Sequence, residues 1–170
     1  MGRYRAPQPP SSPYITAEGA QRLRAELDQL WRRKRPKVTA ALSAAAAEGD
    51  RSENAEYIYR KKQLGEIDRR IRYLRKRLEV LQVVANRPAD EERIFFGAWV
   101  RLEDEDGNER TFRIVGADEL DPAKKYISLD SPMARALLGK SMGDEVAVDL
   151  PSGRSELLIL EVRYTEPTGD

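Results

Sequence analysis

Leucines recur at Leu23, Leu27 and Leu30, at intervals of four and three, and this spacing predicts a helix over residues 16–47. Thr16 suits the N-cap and Glu18 the first turn. Pro36 predicts a kink or the loss of one backbone hydrogen bond, after which the alanine-rich stretch 40–47 resumes high helix propensity. Gly49 ends the helix. A second repeat starts at Tyr57 and runs through Leu64, Ile67, Ile71, Leu74, Leu78 and Leu81. Two such seams joined by a short turn predict an antiparallel coiled-coil hairpin, each arm about 30 residues or roughly 45 Å long, with its tip near residues 49–53.

Past Asn86-Arg87-Pro88 the pattern changes to short strand-like runs at 98–103, 110–115, 126–129, 145–150 and 156–164. Asp106-Gly107 between the first two marks a hairpin turn. Ser131-Pro132 before an apolar segment ending at Leu137, Leu138 and Gly139 predicts a capped short helix. The expected fold class is α+β: the helical hairpin, then a small, largely antiparallel sheet domain with one short helix. Residues 1–13, with Pro7, Pro9, Pro10 and Pro13, have little to bury and are expected to be disordered. The expected boundaries are therefore 1–13, 14–86 and 87–170.

Composition narrows the chemistry. The 170 residues are 35% charged and 7% aromatic, which argues against one large packed core. Cysteine and histidine are absent, which excludes disulfides, thiolate nucleophiles, Ser-His-Asp triads, Cys/His zinc sites and imidazole acid–base chemistry. Apolar runs fall short of the ~20 residues a membrane span needs, and the N-terminus lacks the apolar core of a secretory signal, so a cytoplasmic location is expected. The net charge of +1 conceals two unlike halves. Residues 1–86 hold 19 Lys+Arg against 10 Asp+Glu, a balance of +9, and residues 87–170 hold 11 against 19, a balance of −8.

The turn between the helices carries Asp50 and Glu53. If a helix starts near Asp50, the pair shares one face and has the spacing of a capping box, which satisfies free backbone N–H groups. The same pair could instead hold a divalent metal. Magnesium takes octahedral oxygen coordination, so two carboxylates leave positions that a partner must fill. A hairpin tip is also convex, whereas catalytic pockets are normally concave. Behind the tip, Arg32, Arg33, Lys34, Arg35 and Lys37 form a basic run, and Lys61, Lys62, Arg69 and Arg70 should fall beside it when the hairpin folds. That patch would lie on the order of 20 Å from the tip, either as a solvated face or as an attractor of RNA phosphates.

The tip sequence Gly49-Asp50-Arg51-Ser52-Glu53-Asn54-Ala55-Glu56-Tyr57 resembles the signature of the bacterial Gre transcript-cleavage factors. Phe95-Phe96-Gly97-Ala98-Trp99-Val100 and the segment from Asp130 to Leu138 resemble the GreB type, and the likeness covers about residues 14–164. The resemblance implies a hairpin that enters the secondary channel of RNA polymerase and an FKBP-like C-terminal domain that docks on a coiled coil at the channel rim. It implies that Asp50 and Glu53 share a catalytic Mg with the polymerase during hydrolysis of the 3′ end of backtracked nascent RNA. Asn54 and Tyr57 would support the tip, Glu56 at most assists, and Asp130, Ser131 and Pro132 would dock. Prolyl isomerisation is not expected, since fold does not imply activity. The polymerase would remain the enzyme, and the chain itself is expected to be a monomer. Three competing readings are a non-cleaving channel regulator, a coiled-coil chaperone or nucleic-acid binder, and a free-standing nuclease.

Overall fold

A computed structural model describes residues 10–51 and 53–166. It divides into two compact units, residues 20–81 and residues up to 19 together with those from 82 onward.

In the helical unit, helix α1 (Ala17–Gln29) leads into a π turn at Leu30–Lys34 and then helix α2 (Arg35–Ala47). Pro36 accounts for the π turn. Proline cannot donate to the carbonyl four residues back, and a widened turn absorbs the mismatch; Arg35 N–H accordingly donates to Leu30 O, five residues earlier. The consequence is a shift of register. Leu23, Leu30, Val38 and Ala45 face the seam at spacings of seven, eight and seven, the eight carrying the extra residue. An uninterrupted four-three repeat would have placed Lys34 and Lys37 inward, and both are exposed. Helix α3 (Ala55–Val80) supplies the other side of the seam. Val38, Ile67 and Ile71 are buried together, flanked by Leu27, Leu30 and Leu64. Asp68 meets Arg35 and Glu26 meets Arg70, so rising numbers on one side face falling numbers on the other, as an antiparallel hairpin requires.

In the second unit, strands β3 (Trp99–Asp104), β4 (Glu109–Val115), β5 (Tyr126–Ser128), β6 (Glu145–Leu150) and β7 (Gly153–Arg163) form one sheet in the order β5-β4-β3-β7-β6. All pairs are antiparallel except β4 with β5. Helix α4 (Pro132–Leu137) buries Ala134 and Leu137 against Val100, Leu102, Ile114, Val148 and Ile159. The architecture is the expected α+β class.

The sheet unit also contains a pair of strands that alternation did not reveal. Strand β1 (Tyr14–Thr16) runs parallel to β2 (Gln82–Val84), so residues 14–19 and 82–86, read from sequence as part of the hairpin, pack with the sheet unit. Glu119 fastens this pair. It is 2% exposed and accepts hydrogen bonds from Thr16 N–H at 3.0 Å, Gly116 N–H at 2.9 Å and the Thr16 hydroxyl. Thr16 caps α1 as expected, its hydroxyl accepting from Gly19 N–H at 3.0 Å. A Cβ at Gly19 would sit 2.1 Å from Glu119 Oε1, so the carboxylate occupies space only a glycine leaves open. The expectation of disorder covered residues 1–13. Residues 1–9 lie outside the described residues, while Pro13 O accepts from Gln82 N–H at 2.7 Å and Ser12 is bonded to Asp130.

Candidate functional site: an acidic hairpin turn on a basic shaft

The turn is built by its two helix ends. Helix α2 stops at Ala47, and Gly49 follows with φ of +140°, a conformation that disfavours any side chain. Helix α3 starts at Ala55, not near Asp50, which corrects the capping-box reading: Asn54 is the N-cap. Asn54 Oδ1 accepts from Tyr57 N–H at 3.0 Å, and Asn54 Nδ2 donates to Ala45 O at 2.8 Å. One half-buried amide therefore satisfies an orphan donor of α3 and an end-of-helix carbonyl of α2, and so joins the two arms. Asp50 and Glu53 lie in the turn this staple closes, outside either helix, and both are exposed. Glu53 N–H donates to Asp50 O at 3.3 Å, which ties the two residues through the backbone.

This geometry fits part of a magnesium shell and no more. Carboxylate oxygens are the right donors, and an exposed pair can reach a partner's ion, but two residues do not complete six positions. Among the described residues no group of three or more Asp, Glu, His or Cys could hold a metal ion.

Tyr57 is half-buried, and the Arg51 guanidinium lies 5.9 Å from its ring centroid. Arg51, to which the sequence reading gave no role, thus extends the basic surface toward the turn. It shares a shallow trough with Tyr57, Lys61, Lys62 and Arg69. Lys34, Lys62 and Arg70 line a second groove, with Tyr59 and Glu26. Residues from both arms do meet, but the nine expected cations are not equivalent. Arg32 pairs with Asp28 at 2.7 Å, Arg35 with Asp68 at 2.8 Å and Arg70 with Glu26 in a two-bond grip at 2.6 and 2.9 Å. Arg33, Lys34, Lys37, Lys61, Lys62 and Arg69 are exposed. The Asp28–Arg32 pairing is visible in the i, i+4 spacing. The other two pairs cross the hairpin and needed the register set by the π turn.

The third predicted element, Asp130-Ser131-Pro132, begins α4. Ser131 Oγ accepts from Ala134 N–H at 3.1 Å and proline occupies the first turn, an ordinary helix start. Pro132 is exposed, and Leu137 is fully buried.

The chain falls in the class of transcription elongation factors: a family model described as "Transcription elongation factor, N-terminal" matches residues 13–83. A second, "Transcription elongation factor, GreA/GreB, C-term", matches residues 89–164, and the chain belongs to this GreA/GreB family. It is 60% identical over 164 residues to transcription elongation factor GreB of Pseudomonas aeruginosa, covering 96% of this chain and 98% of that one. Identity is 62% over 153 residues to GreB of Yersinia pestis, covering 90% of each. GreB of Xanthomonas axonopodis pv. citri is 58% identical over 165 residues, covering 96% and 98%. No helix among the described residues is long and apolar enough to cross a membrane.

Proposed function

We propose that this transcription elongation factor works as an accessory to bacterial RNA polymerase, entering its secondary channel with the hairpin and stimulating cleavage of backtracked nascent RNA. The observation that carries the reading is the exposed pair Asp50 and Glu53, presented on a turn that Asn54 staples shut. Convex and unwalled, the turn suits completion of a partner's site.

The reaction is hydrolysis. The oxygen of water bonds to phosphorus, the bond to the 3′ oxygen of the upstream nucleotide breaks, and the retained RNA ends in a new 3′ hydroxyl. Magnesium, when held jointly with the polymerase, supplies a more acidic water and stabilises phosphoryl charge. Asp50 and Glu53 would supply two of its oxygen ligands, and their remaining carboxylate oxygens could accept hydrogen bonds from the attacking water. Arg51 and the exposed cations of the shaft attract the phosphates of the extruded 3′ RNA. Asp130, Ser131 and Pro132 dock on the coiled coil at the channel rim, and the working location is the cytoplasm.

Stalled, backtracked elongation complexes test this at constant salt. Wild type should shorten the RNA from its 3′ end. Asp50→Asn and Glu53→Gln should bind polymerase normally yet cut roughly 100-fold more slowly, the scale of losing one preorganised electrostatic contact. If all three proteins bind and none cleaves, the chain is a non-cleaving regulator of the channel. Robust cutting of naked RNA without polymerase would mean a free-standing nuclease.

A further inference from the structure

The segment just before β1 is bound to the docking turn. Ser12 N–H donates to Asp130 Oδ2 at 2.9 Å, and the Ser12 hydroxyl donates to Asp130 Oδ1, so one residue grips both oxygens of the carboxylate. Ser12 is itself held in place. Pro13 follows it and restricts its backbone to extended conformations, and Pro13 O is anchored by Gln82 N–H at 2.7 Å. On the other side, Asp130 N–H donates to Ser128 Oγ at 3.1 Å and Ser131 N–H to Ser128 O at 2.9 Å, which fixes the turn that carries the carboxylate. Ser12 and Asp130 are 118 residues apart and both half-buried, beside the exposed Pro132.

We infer that Ser12 is a positioning residue for polymerase docking: it fixes the Asp130 carboxylate in the orientation that receives a cationic or N–H donor group of the rim, so the docking surface includes residues 10–13. This rests on the reading of Asp130-Ser131-Pro132 as the docking turn. A carboxylate offers about four acceptor positions, so two donors from Ser12 orient it without excluding a third from a partner. A side chain ordered before binding loses less freedom on binding, which is the general advantage of preorganisation.

The test is equilibrium binding of the full chain to bacterial core RNA polymerase, with thermal melting of each variant as a control. Ser12→Ala should weaken binding roughly 3- to 10-fold, the scale of one hydrogen bond. Ser12→Thr, which keeps the hydroxyl and the amide, should restore wild-type affinity to within about twofold. On an Asp130→Asn background Ser12→Ala should have no further effect, since both act through one contact. Unchanged or tighter binding by Ser12→Ala, or full additivity with Asp130→Asn, overturns the inference. If Asp130→Asn weakens binding and Ser12→Ala does not, only the positioning role fails. If Asp130→Asn binds as wild type does, the docking reading fails and the inference with it.

Discussion

Asn54→Ala is the substitution that most directly tests how the acidic turn is held. It removes the N-cap acceptor for Tyr57 N–H and the donor to Ala45 O. Loss of an N-cap costs about 1 kcal/mol, and loss of a hydrogen bond to a half-buried carbonyl about as much again. The sum of roughly 2 kcal/mol corresponds to about a 30-fold rise in the population of an opened turn, at 1.4 kcal/mol per factor of ten. The seam beyond Ile67 and Ile71 is untouched, so opening should be local. Amide hydrogen exchange reads it directly: Tyr57 and Ile58, whose N–H groups bond Asn54 Oδ1 and O, should exchange about 30-fold faster, while Ile71 and Leu74 should not change. Asn54→Asp keeps an acceptor for the cap but loses the donor to Ala45 O, so its acceleration should be only about fivefold, half the free energy. If both variants exchange within twofold of wild type, the staple does not hold the turn and the ordering of Asp50 and Glu53 has another source.

Three further outcomes follow from other contacts. Glu119→Ala should destabilise the sheet unit by about 3–5 kcal/mol because it strands buried donors on Thr16 and Gly116, and Gly19→Ala should also destabilise it by expelling the carboxylate; thermal melts report both. In binding of single-stranded RNA, Lys34→Ala and Lys62→Ala should each reduce the salt slope by about 0.7, whereas Arg35→Ala should change it less because Asp68 already neutralises that charge; Asp68→Asn should steepen the slope. Hydrogen bonding from Arg163, with further attraction from Arg163 and Arg101, holds the Glu161 carboxylate below its ordinary range. Its stabilisation is complete above the ordinary carboxylate range and lost as pH falls through the lower folded value. Glu161→Gln should therefore lower stability at neutral pH and leave it nearly unchanged below the folded value, which flattens the acid limb of a stability–pH profile.

What could be read from the chain divides by distance along it. The leucine seam, the hairpin, the strands and the caps at Thr16 and Ser131 depend on neighbours within a few residues, and their spacing displays them directly. The cap at Asn54 was equally local, yet Asp50 with Glu53 mimicked a capping box four residues earlier. What separates the two is the partner of Asn54 Nδ2, Ala45 O, on the opposite arm. Pro36 announced a disturbance, but its outcome depended on the seam. With Leu23 buried and Leu30 packed against the seam, one extra residue moves Val38 and Ala45 inward and Lys34 and Lys37 outward, and the π turn supplies it.

The same shift links folding to the chemistry of the shaft. Because Lys34 and Lys37 leave the seam while Arg35 and Arg70 meet Asp68 and Glu26, the basic run divides into structural ion pairs and exposed charge. Surface ion pairs contribute little to stability, so the pairs matter chiefly for removing cations from the surface proposed to meet RNA. Counting Lys and Arg along the chain overstates that surface. The exposed cationic set is smaller, and Arg51, over the Tyr57 ring, carries it toward the carboxylates. A single proline thereby determines which positive charges lie behind the acidic turn, and restoring an uninterrupted helix there would draw lysines toward the seam even though the sequence kept the same net charge.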